Sequence, residues 1–223
     1  LGHSVQIKPD NVEAWHQMGL LHAQLQHWDD AIAAQQKAIK LRPRWPPAQK
    51  ALAAVLFDNG RLDQARGLYE ELLNHDPSQA DVWEELARIK EATHDLKGAA
   101  AAWQSATECN PKSPQAWTGL AVAFSEANLQ ADALAAYQKA IAAGPVSPEA
   151  WNNLGVVCAR MGEYEKALNA LSEAVRLQKN DPVILLNIGL AFHKLKRPKE
   201  TQRALQLLQQ LDADKAAELT LFI

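Results

Sequence analysis

Seven histidines, two cysteines and several carboxylate pairs are the residues of this 223-residue chain able to hold a metal or move a proton. Metal ligands on one helix need i, i+3 or i+4 spacing to share a face. His16, His22 and His27 are six and five apart, and His3, His75, His94 and His193 are scattered, so no metal site is expected. Cys109 and Cys158 are too few for a disulfide framework and read as free thiols that pack as small hydrophobes. That favours a reducing setting, the cytoplasm ahead of a bacterial periplasm. Adjacent carboxylates such as Glu70-Glu71 and Glu84-Glu85 diverge by about 100° on a helix. An acid–base pair needs convergent carboxyls. No phosphate loop, nucleotide fingerprint or G-x-S-x-G elbow is present. Neither catalysis nor a cofactor is expected.

Composition narrows the class. The chain is 48% hydrophobic and 22% charged with 10 Gly and 11 Pro, which is globular and neither disordered nor collagen-like. A net charge of −3 removes the case for bulk attraction to nucleic acid or anionic membrane. No apolar run approaches the ~20 residues of a membrane-spanning helix. Leu1 in place of Met and the apolar Phe222-Ile223 end lead to the expectation of a piece cut from a longer protein, or of a capping last segment.

The elements that position these residues come from a repeat. Pro9, Pro43, Pro77, Pro111 and Pro145 are each 34 apart. Trp15, Gln49, Trp83, Trp117, Trp151 and Leu185 keep the same spacing, as do Ala31, Ala65, Ala99, Ala133, Ala167 and Thr201. After each large residue come positions +3, +4 and +7 of apolar or small type, for example Leu154, Gly155 and Cys158 after Trp151. Those offsets are one face of an α-helix. The alanine column opens a second helix, and Gly60, Asn128 or Gly162 sits between the two, where a left-handed residue ends a helix. Proline then stops the second helix. Each unit is predicted to be a helix–turn–helix, with Trp15, Trp83, Trp117, Trp151 and Trp103 as core filler and His22 in a core column.

Trp151-Asn152-Asn153-Leu154-Gly155, Ala133, Tyr137 and Pro145 resemble the W-x2-L-G-x2-Y, A-x3-F and P pattern of the tetratricopeptide repeat family. The resemblance covers essentially the whole chain and implies an all-α, right-handed superhelical solenoid. The repeats read as 12–45, 46–79, 80–113, 114–147, 148–181 and 182–215, within a single solenoid over 1–223. Residues 1–11 read as the end of a preceding repeat and 216–223 as a partial or capping helix. Gln49, Lys179, Leu185 and Thr201 depart from the pattern.

In this family the first-helix face opposite the core lines a concave groove that binds peptides. Carried onto this chain, the resemblance implies Lys50 and Phe57 in repeat 2, and Asp81, Glu84, Glu85 and Arg88 in repeat 3. It implies Thr118 and Val122 in repeat 4, Asn152, Asn153 and Arg160 in repeat 5, and Leu186, Asn187 and Lys194 in repeat 6. Repeat 3 is acidic and Arg160, His193 and Lys194 are basic, a gradient that would orient a charged partner. Asn153 and Asn187 share one column, and an amide offering both donor and acceptor can hold a peptide backbone. Similar columns line the superhelix of the O-GlcNAc transferase family. The carboxylate clamp of chaperone-binding members is absent, since Lys50, Ala54, Glu85, Gln115 and Gly119 match it once in five. The expected function is a protein-interaction scaffold binding an extended peptide or partner helix. The alternatives are the substrate-recruiting arm of a larger enzyme such as a glycosyltransferase, and a scaffold that self-associates through its end repeats. No nucleic acid partner and no membrane insertion are expected.

Overall fold

Alternating apolar faces at helical spacing, broken every 34 residues by proline or a capping residue, produce alternating helices of two lengths. In the computed structural model, which describes residues 10–223, the first helices of the repeats are α1 (Val12–Gln24), α3 (Pro46–Asp58), α5 (Ala80–Ala92), α7 (Pro114–Glu126), α9 (Pro148–Arg160) and α11 (Pro182–Lys194). The second helices are α2 (Trp28–Leu41), α4 (Leu62–His75), α6 (Leu96–Cys109), α8 (Gln130–Ala143), α10 (Tyr164–Leu177) and α12 (Pro198–Leu211). A short α13 (Ala213–Thr220) follows. The described residues contain no strand. The fold class is the all-α helical-repeat solenoid, and the segment read as the end of a preceding repeat lies almost wholly outside the described residues.

Starts and stops have local causes. Side-chain oxygens of Asn11, Ser113, Ser147 and Asp181 accept from first-turn amides of the helices they open. Proline stands at the start of α3, α7, α9 and α11, where its missing N–H is no loss. The turn inside every hairpin is closed by one left-handed residue, in order Gln26, Gly60, His94, Asn128, Gly162 and Lys196, with φ between 57° and 79°. The amides that follow bond back to the last turn, as Arg61 N does to Leu56 O at 2.8 Å. Gly60, Asn128 and Gly162 are legible as such turns; Gln26, His94 and Lys196 hold the same conformation with a side chain that disfavours it. Lys179 replaces proline without consequence: α10 still ends at Leu177, Asn180 turns left-handed and Asp181 caps α11.

Helices within a hairpin meet at small residues. Ala31, Ala65, Ala99, Ala133 and Ala167 are at most 1% exposed. A Cβ on Gly155 would sit 2.7 Å from Leu171 Cγ; at the end of the array the same close approach is made to the following helix, where a Cβ on Gly189 would sit 2.6 Å from Leu219 Cδ2 of α13. Trp103 is buried, and Trp15, Trp83, Trp117 and Trp151 are half-buried, with Trp83, Trp117 and Trp151 packed against the core clusters. Trp83 and Trp117 donate their indole N–H to the carbonyls of Pro77 and Pro111, at 2.8 and 2.9 Å, tying each first helix to the loop before it.

By contacts the described chain divides into two units, one ending at Asn110 and one beginning at Pro111. In a repeat array each hairpin packs only on its neighbours, so no single core need span the whole length. The first unit stacks three hairpins around Leu52, Leu56, Tyr69, Leu72, Leu86 and Ile89. The second stacks three more around Tyr137, Leu154, Val157 and Cys158, and closes with Leu186, Leu205, Leu208 and Leu219. α13 begins at Ala213, ahead of the expected 216, because Asp212 caps it through the Lys215 amide at 3.0 Å. Cys109 is exposed, against the expectation of a packed thiol, because it ends α6; Cys158 is buried as expected. Among the described residues no helix is long and apolar enough to cross a membrane.

Two substitutions test this account in thermal melts. His94→Gly removes a side chain from a left-handed turn and is expected to stabilise the chain by about 1 kcal/mol. Gly155→Val forces a branched side chain against Leu171 and is expected to destabilise by about 2 kcal/mol.

Candidate functional site

In the first unit the outward face of the first helices carries more acids than bases. Lys50 Nζ donates to Asp81 Oδ2, and Arg88 donates to Glu85 Oε1 at 3.3 Å in an i, i+3 pair. Asp58 and Glu84 add further negative charge beside Glu85. Burial is the largest influence on the Glu85 carboxyl and pushes its pKa up; Arg88 lowers it, and Glu84, Asp58 and Asp81 raise it further. Beneath lies buried Tyr69, its phenol pushed well above the ordinary range by burial first and by Glu85, Asp58 and Asp81 next. Glu91, which stands alongside in sequence, is withdrawn: its carboxylate accepts the Trp103 indole N–H at 2.6 Å. Phe57 packs half-buried against the core.

In the second unit a cavity of about 430 Å³ is lined by Val122, Ser125, Glu126, Asn128, Tyr137, Asn153, Val156 and Arg160. Tyr137 is 2% exposed, and its hydroxyl is buried with no hydrogen-bond partner. Asn153 lies against that hydroxyl without completing a bond to it. Burial pushes the Tyr137 phenol up to about 12, Asn153 pulls it down and Glu126 pushes it up. On the rim Arg160 Nη1 donates to Ser125 Oγ at a long 3.4 Å. Val156 and Arg160 also line a second cavity of about 290 Å³, walled by Ala159, Leu171, Leu190 and Phe222, with Asn187 and Lys194 among its lining. Donors, acceptors and an apolar recess therefore adjoin on one face.

Comparison with known proteins bears on what such a face belongs to. Residues 45–221 match the family described as the cilia and flagella-associated protein 70 C-terminal domain, and residues 12–45 match the tetratricopeptide repeat itself. The chain belongs to this tetratricopeptide-repeat family. The tetratricopeptide-repeat chain is 27% identical over 116 residues to protein O-mannosyl-transferase TMTC1 of Mus musculus, covering 49% of this chain and 12% of that protein. It spans about a tenth of the length of the curated relatives it matches. Among solved structures it is similar to PilF of Pseudomonas aeruginosa, with a TM-score of 0.82 at 17% identity over 95% of this chain and 97% of that one. It is also similar to YrrB, described as a TPR protein with an unusual peptide-binding site, with a TM-score of 0.66 at 20% identity over 82% and 95% of the two chains.

The tetratricopeptide-repeat geometry redistributes the residues the family pattern singles out. Asn153, Arg160 and Val122 line the polar cavity, and Asn187 and Lys194 the apolar one. Asn187 Nδ2 donates to Asn152 Oδ1 at 2.8 Å, so the amide ladder runs from Asn187 to Asn152 and not directly to Asn153. The Thr118 hydroxyl is spent on its own helix, donating to Pro114 O at 2.8 Å. Leu186 is a correction: it is 4% exposed, clustered with Leu205, Leu208 and Leu219, because α13 packs where a ligand face would be open. Tyr137, Ser125, Glu126 and Val156 complete the polar cavity; Tyr137 occupies the core slot of the repeat pattern, so nothing in spacing marks its hydroxyl as a site group.

The raised Glu85 pKa fixes a pH dependence. With the folded pKa above the ordinary 4.5, the folded state holds more protons between the two values, so stability falls as pH rises through that window. The partly exposed Arg88 pair contributes little against burial. Glu85→Gln is expected to melt above the parent at pH 8, with the difference vanishing below pH 4.5, in parallel melts across that range.

Proposed function

We propose that this chain is a non-catalytic protein-interaction scaffold that holds an extended peptide of a partner against the first-helix faces of its repeats. Its fold is that of proteins among which YrrB is described as having a peptide-binding site. The observation that carries the finer reading is Tyr137, which lines an open polar cavity beside Asn153 and Arg160 and whose hydroxyl is buried and unpartnered. A buried hydroxyl without a partner costs roughly 1–3 kcal/mol, and a ligand group that satisfies it recovers that loss only in the complex. A peptide in extended form alternates its side chains. One backbone or polar group meets Tyr137, Asn153 and Arg160, and a neighbouring apolar side chain enters the recess between Val156 and Leu190. The acidic face of the first unit favours a basic stretch of ligand.

A second reading has one observation behind it. The similarity to TMTC1, an O-mannosyl-transferase, favours a recruiting arm of a larger transferase. Transferase activity that follows the full reading frame, and is lost with these repeats, would support it.

Peptides selected from a random display library on the purified chain test the main reading. Tyr137→Phe is expected to raise the melting temperature, since it deletes an unpartnered buried hydroxyl, while weakening selected peptides about 5- to 10-fold. Asn153→Ala is expected to weaken them similarly. Peptides that bind both variants as they bind the parent would place the ligand elsewhere.

A further inference from the structure

Residues too far apart in sequence to share one helix face are brought together where the hairpin turn joins two helices. His22 lies in the last turn of α1, His27 precedes α2 directly, and Asp30 lies one turn further along α2, the i, i+3 position from His27. The left-handed Gln26 and the His27 N to His22 O bond at 2.9 Å hold the two helix ends in this relation. One ligand atom from each of His22, His27 and Asp30 lies within 4.8 Å of the others. The two imidazole rings are 6.0 Å apart between centroids. His22 Nδ1 is buried and makes no hydrogen bond; the nearest acid, Asp30 Oδ2, stands 3.9 Å away, beyond bonding distance. Asp29, next in sequence, is drawn off by Arg61 at 3.1 Å, while Asp30 faces the histidines.

We propose that His22, His27 and Asp30 form a binding site for a divalent transition-metal ion of the zinc class, clipping α1 to α2. Bonds of about 2.0–2.2 Å to nitrogen and oxygen need donor atoms roughly 3.3 Å apart in a tetrahedral site. Rotation of the exposed His27 and Asp30 side chains by about an ångström brings them to it, and the buried His22 nitrogen gains the partner it lacks. Two imidazoles and one carboxylate suit Zn²⁺, Co²⁺, Ni²⁺ or Cu²⁺, whereas Ca²⁺ and Mg²⁺ ask for oxygen donors. Three protein ligands leave a coordination position for water. Bound metal would lock the α1–α2 hairpin, and the proposal does not depend on the peptide reading.

The test is calorimetric titration of the full, tag-free chain with Zn²⁺, and visible absorption with Co²⁺. A Cys109→Ser background keeps the exposed thiol out of both. The expected result is one equivalent bound, a higher melting temperature with metal, and no competition from millimolar Ca²⁺ or Mg²⁺. His27→Ala and Asp30→Asn, both at exposed positions and checked by circular dichroism, are each expected to weaken binding at least tenfold, as even outer-shell partners are worth 10- to 100-fold. His75→Ala and His94→Ala are expected to bind as the background does. Absence of binding, binding unchanged in His27→Ala and Asp30→Asn, or equal affinity for Ca²⁺ would each overturn the site.

Discussion

Everything in this molecule depends on how closely the two helices of each hairpin approach. Buried alanines and glycines such as Gly155 set that distance: a Cβ on Gly155 would meet Leu171 within 3 Å. At that separation a short left-handed turn is the connection that closes the hairpin, which is why Gln26, His94 and Lys196 adopt it beside the easier Gly60 and Gly162. Local strain of about 1 kcal/mol at three turns is outweighed by the packing of two helices along their length. The same approach leaves the outward faces of the first helices unable to bury large side chains, and polar residues gather there.

Those outward faces differ in chemistry although the scaffold beneath them is repeated. In the first unit three carboxylates sit around the partly buried Glu85, and two bases answer this acidic cluster at close range. In the second unit neutral amides dominate, with Asn187 bonded to Asn152 and Asn153 turned toward Tyr137. Charge on one face can pair only with opposite charge, whereas the amides of the other offer both a donor and an acceptor.

The repeat was legible because each constraint recurs at one spacing: a small residue at the hairpin contact, a turn residue between helices, a stop after the second. Three independent columns at 34 residues mark a repeat, and the +3, +4 and +7 spacing within each unit makes it helical. The candidate site was legible only where it follows the same register. Asn153, Arg160 and Lys194 line cavities because first-helix periodicity places them there. Leu186 obeys that periodicity too, yet α13 covers it, and no pattern in repeat 6 signals the helix that follows. The His22, His27 and Asp30 cluster escaped for the opposite reason. Its members lie on two helices, and only the geometry of the turn makes residues five apart neighbours.

The slot four residues after the small column shows where this scaffold departs from a pure packing solution. It is filled in turn by Gln35, Tyr69, Trp103, Tyr137, Leu171 and Leu205, all buried. Two of the four residues with a polar group are answered by their surroundings: Gln35 donates to His16 O at 3.1 Å and pairs with the His16 ring at 2.9 Å, and Trp103 finds Glu91. Leucine at the last two positions needs no answer. Tyr137 has a buried hydroxyl and no bond for it, although phenylalanine would fill the same space without that penalty. An unanswered donor is a poor device for stability at a position where four of the other five residues are either apolar or hydrogen-bonded. It is a good one for recognition, because the loss carried in the free protein is recovered only when a ligand supplies the acceptor. Tyr137 thus stands apart from the residues that fill the same slot in its own repeats, and that contrast supports a binding face in the second unit.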